Sequence, residues 1–250
     1  MRKSDGLRVH GEWPEQLQIT QGWAKAWARP WNDDLEAVAL RLERGSARFL
    51  RLCTGFVSDF ATTVLSPALM PPRIRIWKEA GFEVSDQLAL LEHDLRHIPQ
   101  AVGETAGEPR VQAGSLEPID ELYDIDQAAF PIRWRMGRQG LVESVSATNR
   151  SVVHRIAASA NDSGLDSVTG FAVTGISLGQ GYLQRLAVHP LAQRQGQGGA
   201  LVRASLLWAR GHGARAALVN TQSENEPALH LYRRAGFENV PGGLVVMGTN

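Results

Sequence analysis

Residues 186–201 read LAVHPLAQRQGQGGAL: an apolar run stops at His189 and Pro190, and a glycine-rich stretch then opens a helical pattern. Ala200, Leu201, Ala204, Leu207 and Trp208 recur at helical spacing, and Gly211 and Gly213 supply the stop. A strand that feeds a helix through a glycine loop must lay that helix back on its own sheet, so the segment predicts a layered fold mixing strands and helices. It also gathers backbone N–H groups. The first turn of a helix leaves its amides without intrahelical partners at the positive end of the dipole, which suits an anion. Gly196 and Gly198 are expected to remove Cβ atoms that would hold phosphate oxygens away, each charge-assisted bond then contributing roughly 1.5–3 kcal/mol. Two other phosphate loops are excluded: Gly199 and Ala200 stand where a nucleotide P-loop needs Lys and Ser/Thr, and Leu201 stands where a dinucleotide fingerprint from Gly196 needs glycine.

The neighbouring pattern extends this reading. Downstream of residue 110 the periodicity predicts a strand at 111–113, helices at 116–129 and 140–147, a strand at 151–157, a hairpin of 168–176 with 182–188, the helix at 198–210, a strand at 216–220, a helix at 226–235 and a last strand at 243–247. The class is α/β (α+β), a mixed sheet flanked by helices. Residues 34–52 read as one helix. Trp23, Trp27 and Trp31, four apart, read as a buried stripe rather than an aromatic ligand box.

Twenty-six basic residues balance twenty-six acidic ones, which gives no support for a phosphate-tracking nucleic-acid surface. A single cysteine, Cys53, excludes an internal disulfide and a cysteine-rich metal site; no metal is expected. With no leader pattern and no run of 18 apolar residues, the expected location is cytoplasmic, away from a membrane. Lysine occurs only at positions 3, 25 and 78, which reads as the coding bias of a GC-rich bacterial source.

The end of each half repeats. IRIWKEAGFEV at 74–84 and LHLYRRAGFEN at 229–239 align with Gly81 on Gly236, an offset of 236 − 81 = 155, and with Trp77 on Tyr232. A linker is expected within the Pro- and Gly-rich stretch 96–110, giving an N-terminal domain at 1–100, a linker at 101–109 and a C-terminal domain at 110–250.

From Gln193 to Gly198 the chain matches Gln/Arg-x-x-Gly-x-Gly/Ala, and Asn225, Ala228, Leu231, Tyr232, Gly236 and Phe237 fall in N-x-x-A-x-x-L-Y-x-x-x-G-F. In these two motifs residues 111–250 closely resemble the GNAT superfamily of N-acetyltransferases, and the whole chain resembles a tandem arrangement, as in mycothiol synthase, whose N-terminal half is a degenerate copy without the glycine loop. The resemblance implies acetyl-CoA as cofactor. Its pyrophosphate would lie on the amides of Gln193, Arg194, Gln195, Gly196, Gln197, Gly198 and Gly199, and its pantetheine arm along Leu186, Ala187 and Val188 with a bond from Asn225. Tyr232 would be the general acid for the departing thiolate, although on the residues alone it also fits a core tyrosine. The carboxylate that the family often places on the strand before the loop is replaced by Gln184 and Arg185. Glu121, Asp126, Glu224 and a water chain ending at His189 stay open as the base, each read as a solvated group. Phe130 and Trp134 would floor the acceptor pocket, with Arg133, Arg135 and Arg138 drawing an anionic group, or else serve as core and solvated face. The implied reaction moves acetyl to a primary amine of a small molecule or protein; a non-catalytic acyl-CoA-binding module is the alternative.

Overall fold

The computed structural model describes residues 6–98, 109–157 and 168–249. The chain divides into two compact units, Met1–Ala89 with Gly242–Asn250, and Leu90–Pro241.

In the first unit β1 (Arg8–His10), β2 (Leu17–Gln21), β3 (Ala24–Pro30) and β4 (Ala37–Arg44) form an antiparallel meander. Helix α1 (Ala47–Val57) returns the chain to β5 (Thr63–Leu65), parallel to β4, and α2 (Pro71–Glu79) leads into β6 (Glu83–His93). The face of α1 carrying Phe49, Leu50, Cys53 and Val57 is buried in one core with Ile19, Ala26, Val38 and Leu40.

The helix expected at 34–52 is therefore wrong in its first half. Residues 37–44 are rich in helix formers, but Val38 and Leu40 are buried while Arg41 and Glu43 face out, a period of two that sheet pairing enforces over propensity. Gly45, at φ +151°, ends the strand and Ser46 caps the helix. The tryptophan stripe is also corrected. It lies on and beside β3, where Trp23 is 67% exposed and Trp27 reaches out to Glu43, because residues four apart share a face on a strand as well as on a helix.

The second unit repeats the topology. Strand β7 (Val111–Gly114) is followed by α3 (Ile119–Ala129), a 3₁₀ turn (Ile132–Trp134), α4 (Arg138–Ser146), and the antiparallel strands β8 (Arg150–Ala157), β9 (Val168–Ser177) and β10 (Gln180–Val188). Leu178 and Gly179, both at positive φ, make the two-residue turn of the expected hairpin. Helix α5 (Gln197–Gly211) then leads to β11 (Ala216–Gln222), parallel to β10, and α6 (Glu226–Arg234) to β12 (Glu238–Asn239). Leu122, Ile125 and Leu141 of α3 and α4 pack on Val153, Phe171, Val173 and Ala187 of the sheet, and α5 lies against β8, β9 and β10. The buried stripe of α5 is Leu201, Val202, Ser205, Leu206 and Ala209, not the one anticipated from Ala204 and Trp208, because a polar Ser205 broke the inward stripe in the sequence.

The last strand, β13 (Leu244–Gly248), pairs with β5 and with residues 83–88 of β6, in the first unit. The expected domains, 1–100 and 110–250, therefore do not match the compact units: pairing between residues about 160 positions apart carries the C-terminus out of the second unit, and no local pattern announces it. All but the last residue of the expected linker, 101–109, lies outside the described residues. The mixed sheet and flanking helices agree with the expected class. No helix among the described residues is long and apolar enough to cross a membrane.

Candidate active site

The second unit opens where β10 and β11 part. Their parallel pairing ends at Leu183↔Val219, while β10 continues against β9 to Val188. A bulge at Gln184 sits at that point, bending the strand away. Leu186, Ala187 and Val188 therefore present an edge that β11 does not fill.

Immediately beyond, the chain builds an open helix start. Gln193 donates from Nε2 to the Val188 carbonyl at 3.0 Å, and buried Gln197 accepts from the Thr169 hydroxyl at 3.0 Å, so the two side chains brace the loop at both ends. Arg194 at φ 63° and Gly196 at φ 80° turn the backbone between those struts. Gly196, the N-cap of α5, has no side chain to bond the first-turn amides, which are left for an external acceptor. Gln195 and Gly199 are exposed beside it. At Gly198 a Cβ would stand 3.2 Å from Leu231 on α6, so its small size also serves helix packing, whereas Cβ atoms at Gly196 and Gly199 would meet nothing.

Asn225 caps α6. Its Oδ1 accepts from the Ala228 amide, and its Nδ2 donates to Thr221 Oγ1 at 3.1 Å and Gln222 Oε1 at 3.4 Å. A bond from Asn225 to a pantetheine arm would have to replace one of these, the longer one at least cost. One helical segment further, Tyr232 is buried, and that burial pushes its phenol up to about 12, with the charge of Arg185 acting in the opposite sense. It keeps its proton throughout the neutral range.

Arg185 and Asp126 form the feature the sequence reading missed. The guanidinium donates to Asp126 through Nε at 2.6 Å and Nη2 at 2.8 Å, reaches the Trp134 carbonyl at 2.8 Å, and lies 3.6 Å from the Phe130 ring centre. Asp126, fully buried, also accepts the Met136 amide at 2.7 Å. The expectation that Asp126 is a solvated carboxylate fails, because a charge closed off from water needs its partners, and removing one typically costs about 3–5 kcal/mol. An arginine inside the apolar strand YLQRLAV and an aspartate on the buried face of α3 were the available signals. Glu121 and Glu224 are exposed, and His189 uses Nδ1 to cap the 3₁₀ turn at 190–192, accepting from the Leu191 amide.

Phe130 and Trp134 are thus drawn to β10 through Arg185. Of the three nearby arginines, Arg138 pairs with Asp120 and covers Tyr123, Arg135 donates to the Phe130 carbonyl, and Arg133 lies beside Trp134.

The family model for the GNAT acetyltransferase family matches residues 119–237, from the start of α3 to Phe237. Residues 119–237 belong to the GNAT family. Members of that family generally use acetyl-CoA, and membership supports acyl transfer by this domain. No curated protein matches the chain in sequence. Among solved structures, a tandem GNAT protein from the clavulanic acid biosynthesis pathway is similar in fold over 98% of this chain and 83% of its own, with a TM-score of 0.63 at 14% identity. A GCN5-related N-acetyltransferase from Sphaerobacter thermophilus is similar over 94% and 80%, with a TM-score of 0.57 at 16% identity. One from Kribbella flavida is similar over 98% and 90%, with a TM-score of 0.55 at 15% identity. The GNAT domain supplies the splayed strand, the open helix start and Tyr232; the fold likeness extends over the first unit as well.

Proposed function

We propose that the chain is an acetyl-CoA-dependent N-acetyltransferase acting on a primary amine of a small molecule or protein in a ternary complex. The observation that carries this reading is the combination, within the second unit, of an edge of β10 that β11 does not fill, uncapped amides at the α5 start, and a buried, protonated Tyr232. Acetyl-CoA would supply an acetyl group activated as a thioester. The amides of residues 194–199 would hold its pyrophosphate, and the edge at Leu186–Val188 would pair with the pantetheine amides. As the amine attacks the thioester carbon, a main-chain N–H on that edge would face the oxyanion, Tyr232 would protonate the departing thiolate, and the proton lost by the amine would restore the phenol. The charge of Arg185 acts to lower the pKa of the phenol, against the larger effect of burial. Phe130 and Trp134 wall the acceptor side.

The first unit is, in this reading, a degenerate copy, and the chain binds one acetyl-CoA. Isothermal titration should return a stoichiometry of one; two sites would overturn the degenerate-copy reading. A cytoplasmic bacterial setting fits the composition.

The alternative of a non-catalytic acyl-CoA-binding module is favoured by one observation. Arg185, committed to Asp126, and Gln184 occupy the strand where a carboxylate base is often found. Free thiol release from acetyl-CoA with a broad amine panel separates the two. Turnover that Tyr232→Phe lowers about 10²–10⁴-fold, with acetyl-CoA affinity kept, supports the enzyme; full turnover in that variant makes Tyr232 a packing residue, and no release with any amine leaves only the binding module.

A further inference from the structure

A buried histidine lies outside the groups assigned so far. His93 ends β6, on the N-terminal side of the undescribed 99–108 segment and outside the matched family segment, yet it belongs to the second unit. It is 2% exposed. Its Nδ1 accepts the Leu95 amide at 2.9 Å, which leaves the proton on Nε2, the ring nitrogen that faces Gly236 and the Ala235 backbone at the C-cap of α6. The ring edge meets Phe237 at 5.4 Å between centres, and Phe237 meets Tyr232 at 5.8 Å. The amides of Ala235 and Phe237 both donate to the Tyr232 carbonyl at 3.0 Å. A Cβ at Gly236 would stand 3.0 Å from His93 Nε2, so glycine is required there by the histidine as well as by φ +93°. The matching Gly81 of the first unit, at φ +96°, has nothing within that reach.

We propose that His93 is a positioning residue for Tyr232, locking the last turn of α6 so that the phenol is held in one orientation. This rests on the reading of Tyr232 as the proton donor. The lock needs a neutral ring that accepts on one nitrogen and donates on the other. Burial favours that form, lowering the His93 pKa against the opposing pull of Asp94 and the Ala235 bond. The first unit, whose α2 carries Trp77 in place of the tyrosine, has no such ring on its glycine.

The test is a double-mutant cycle in the full chain, read by thiol release from acetyl-CoA with the best amine of the panel. His93→Asn keeps an acceptor for Leu95 and loses the bond to Ala235. It should lower kcat about tenfold or more, leave the KM for acetyl-CoA unchanged, and have no further effect in a Tyr232→Phe background. His93→Gln, which returns a donor toward Ala235, should recover part of the loss. Equal losses in both backgrounds, or an unchanged kcat, overturn the inference while the reading of Tyr232 stands. Full turnover in Tyr232→Phe alone overturns that reading and the inference with it. Hydrogen exchange over residues 226–237 gives a readout free of turnover: faster exchange of the Ala235 and Phe237 amides in His93→Asn is expected, and unchanged protection overturns the lock.

Discussion

The two units start their crossover helices in opposite ways. In the first, β4 passes to α1 through Gly45 and Ser46. A Cβ at Gly45 would lie 2.7 Å from Phe49, and the Ser46 hydroxyl accepts the Phe49 amide. The turn is filled, and the helix caps itself. In the second, a loop braced by Gln193 and Gln197 ends at Gly196, which caps nothing. The helix ends diverge too: Trp77 packs edge-on against Phe82 at 4.8 Å, where Tyr232 sits under Phe237 with a titratable hydroxyl. One topology serves two purposes, and the choice between self-satisfaction and an open site rests on a few side chains.

The largest effect should come from Trp77→Ala. Emptying that buried site costs about 3–5 kcal/mol of stability, read as a lower denaturant midpoint, with acetyl-CoA affinity of the folded protein unchanged. A lost affinity would mean that the first unit is more than a packed copy. Gly199→Asp should come next. Its Cβ enters open space and a carboxylate in the first turn suits the dipole, so the fold is kept, while acetyl-CoA binding by calorimetry weakens about a hundredfold through repulsion of phosphate. Ser46→Ala should cost about 1 kcal/mol of stability and nothing in binding, since that cap serves only its own helix. The last effect is a pH dependence, absent at neutral pH and growing as the solution is acidified. His154 is buried in the second unit and its pKa is lowered to about 4 by that burial, so the unfolded chain binds a proton first. Stability should therefore fall as pH drops from about 6.5 toward 4, and a melting series of His154→Leu should be flatter over that window.

The repeat was legible because it is local. Gly81 and Gly236 carry the same positive φ in the same AGF turn, and both follow a helix with proline in its first turn. The glycine loop was legible for the same reason: strand, loop and helix start are consecutive, and their residue types fix φ and the supply of free amides. Asn225 was read as a ligand but is first a cap, because a side chain that bonds its own backbone looks the same in sequence as one that awaits a partner.

Local pattern was enough to locate most elements of the second unit, the turn that leaves α5 uncapped, and the tyrosine in the matching motif. These follow from dihedral preference and hydrogen-bonding capacity within a few residues. Packing of distant segments settles the rest: β13 joins the first unit, Arg185 is paired with Asp126 fifty-nine residues away, and His93 closes on Gly236. Those contacts join segments far apart in the chain, and what selects them is the cost of leaving a strand edge or a buried charge without a partner, a cost that exists only once the chain is packed.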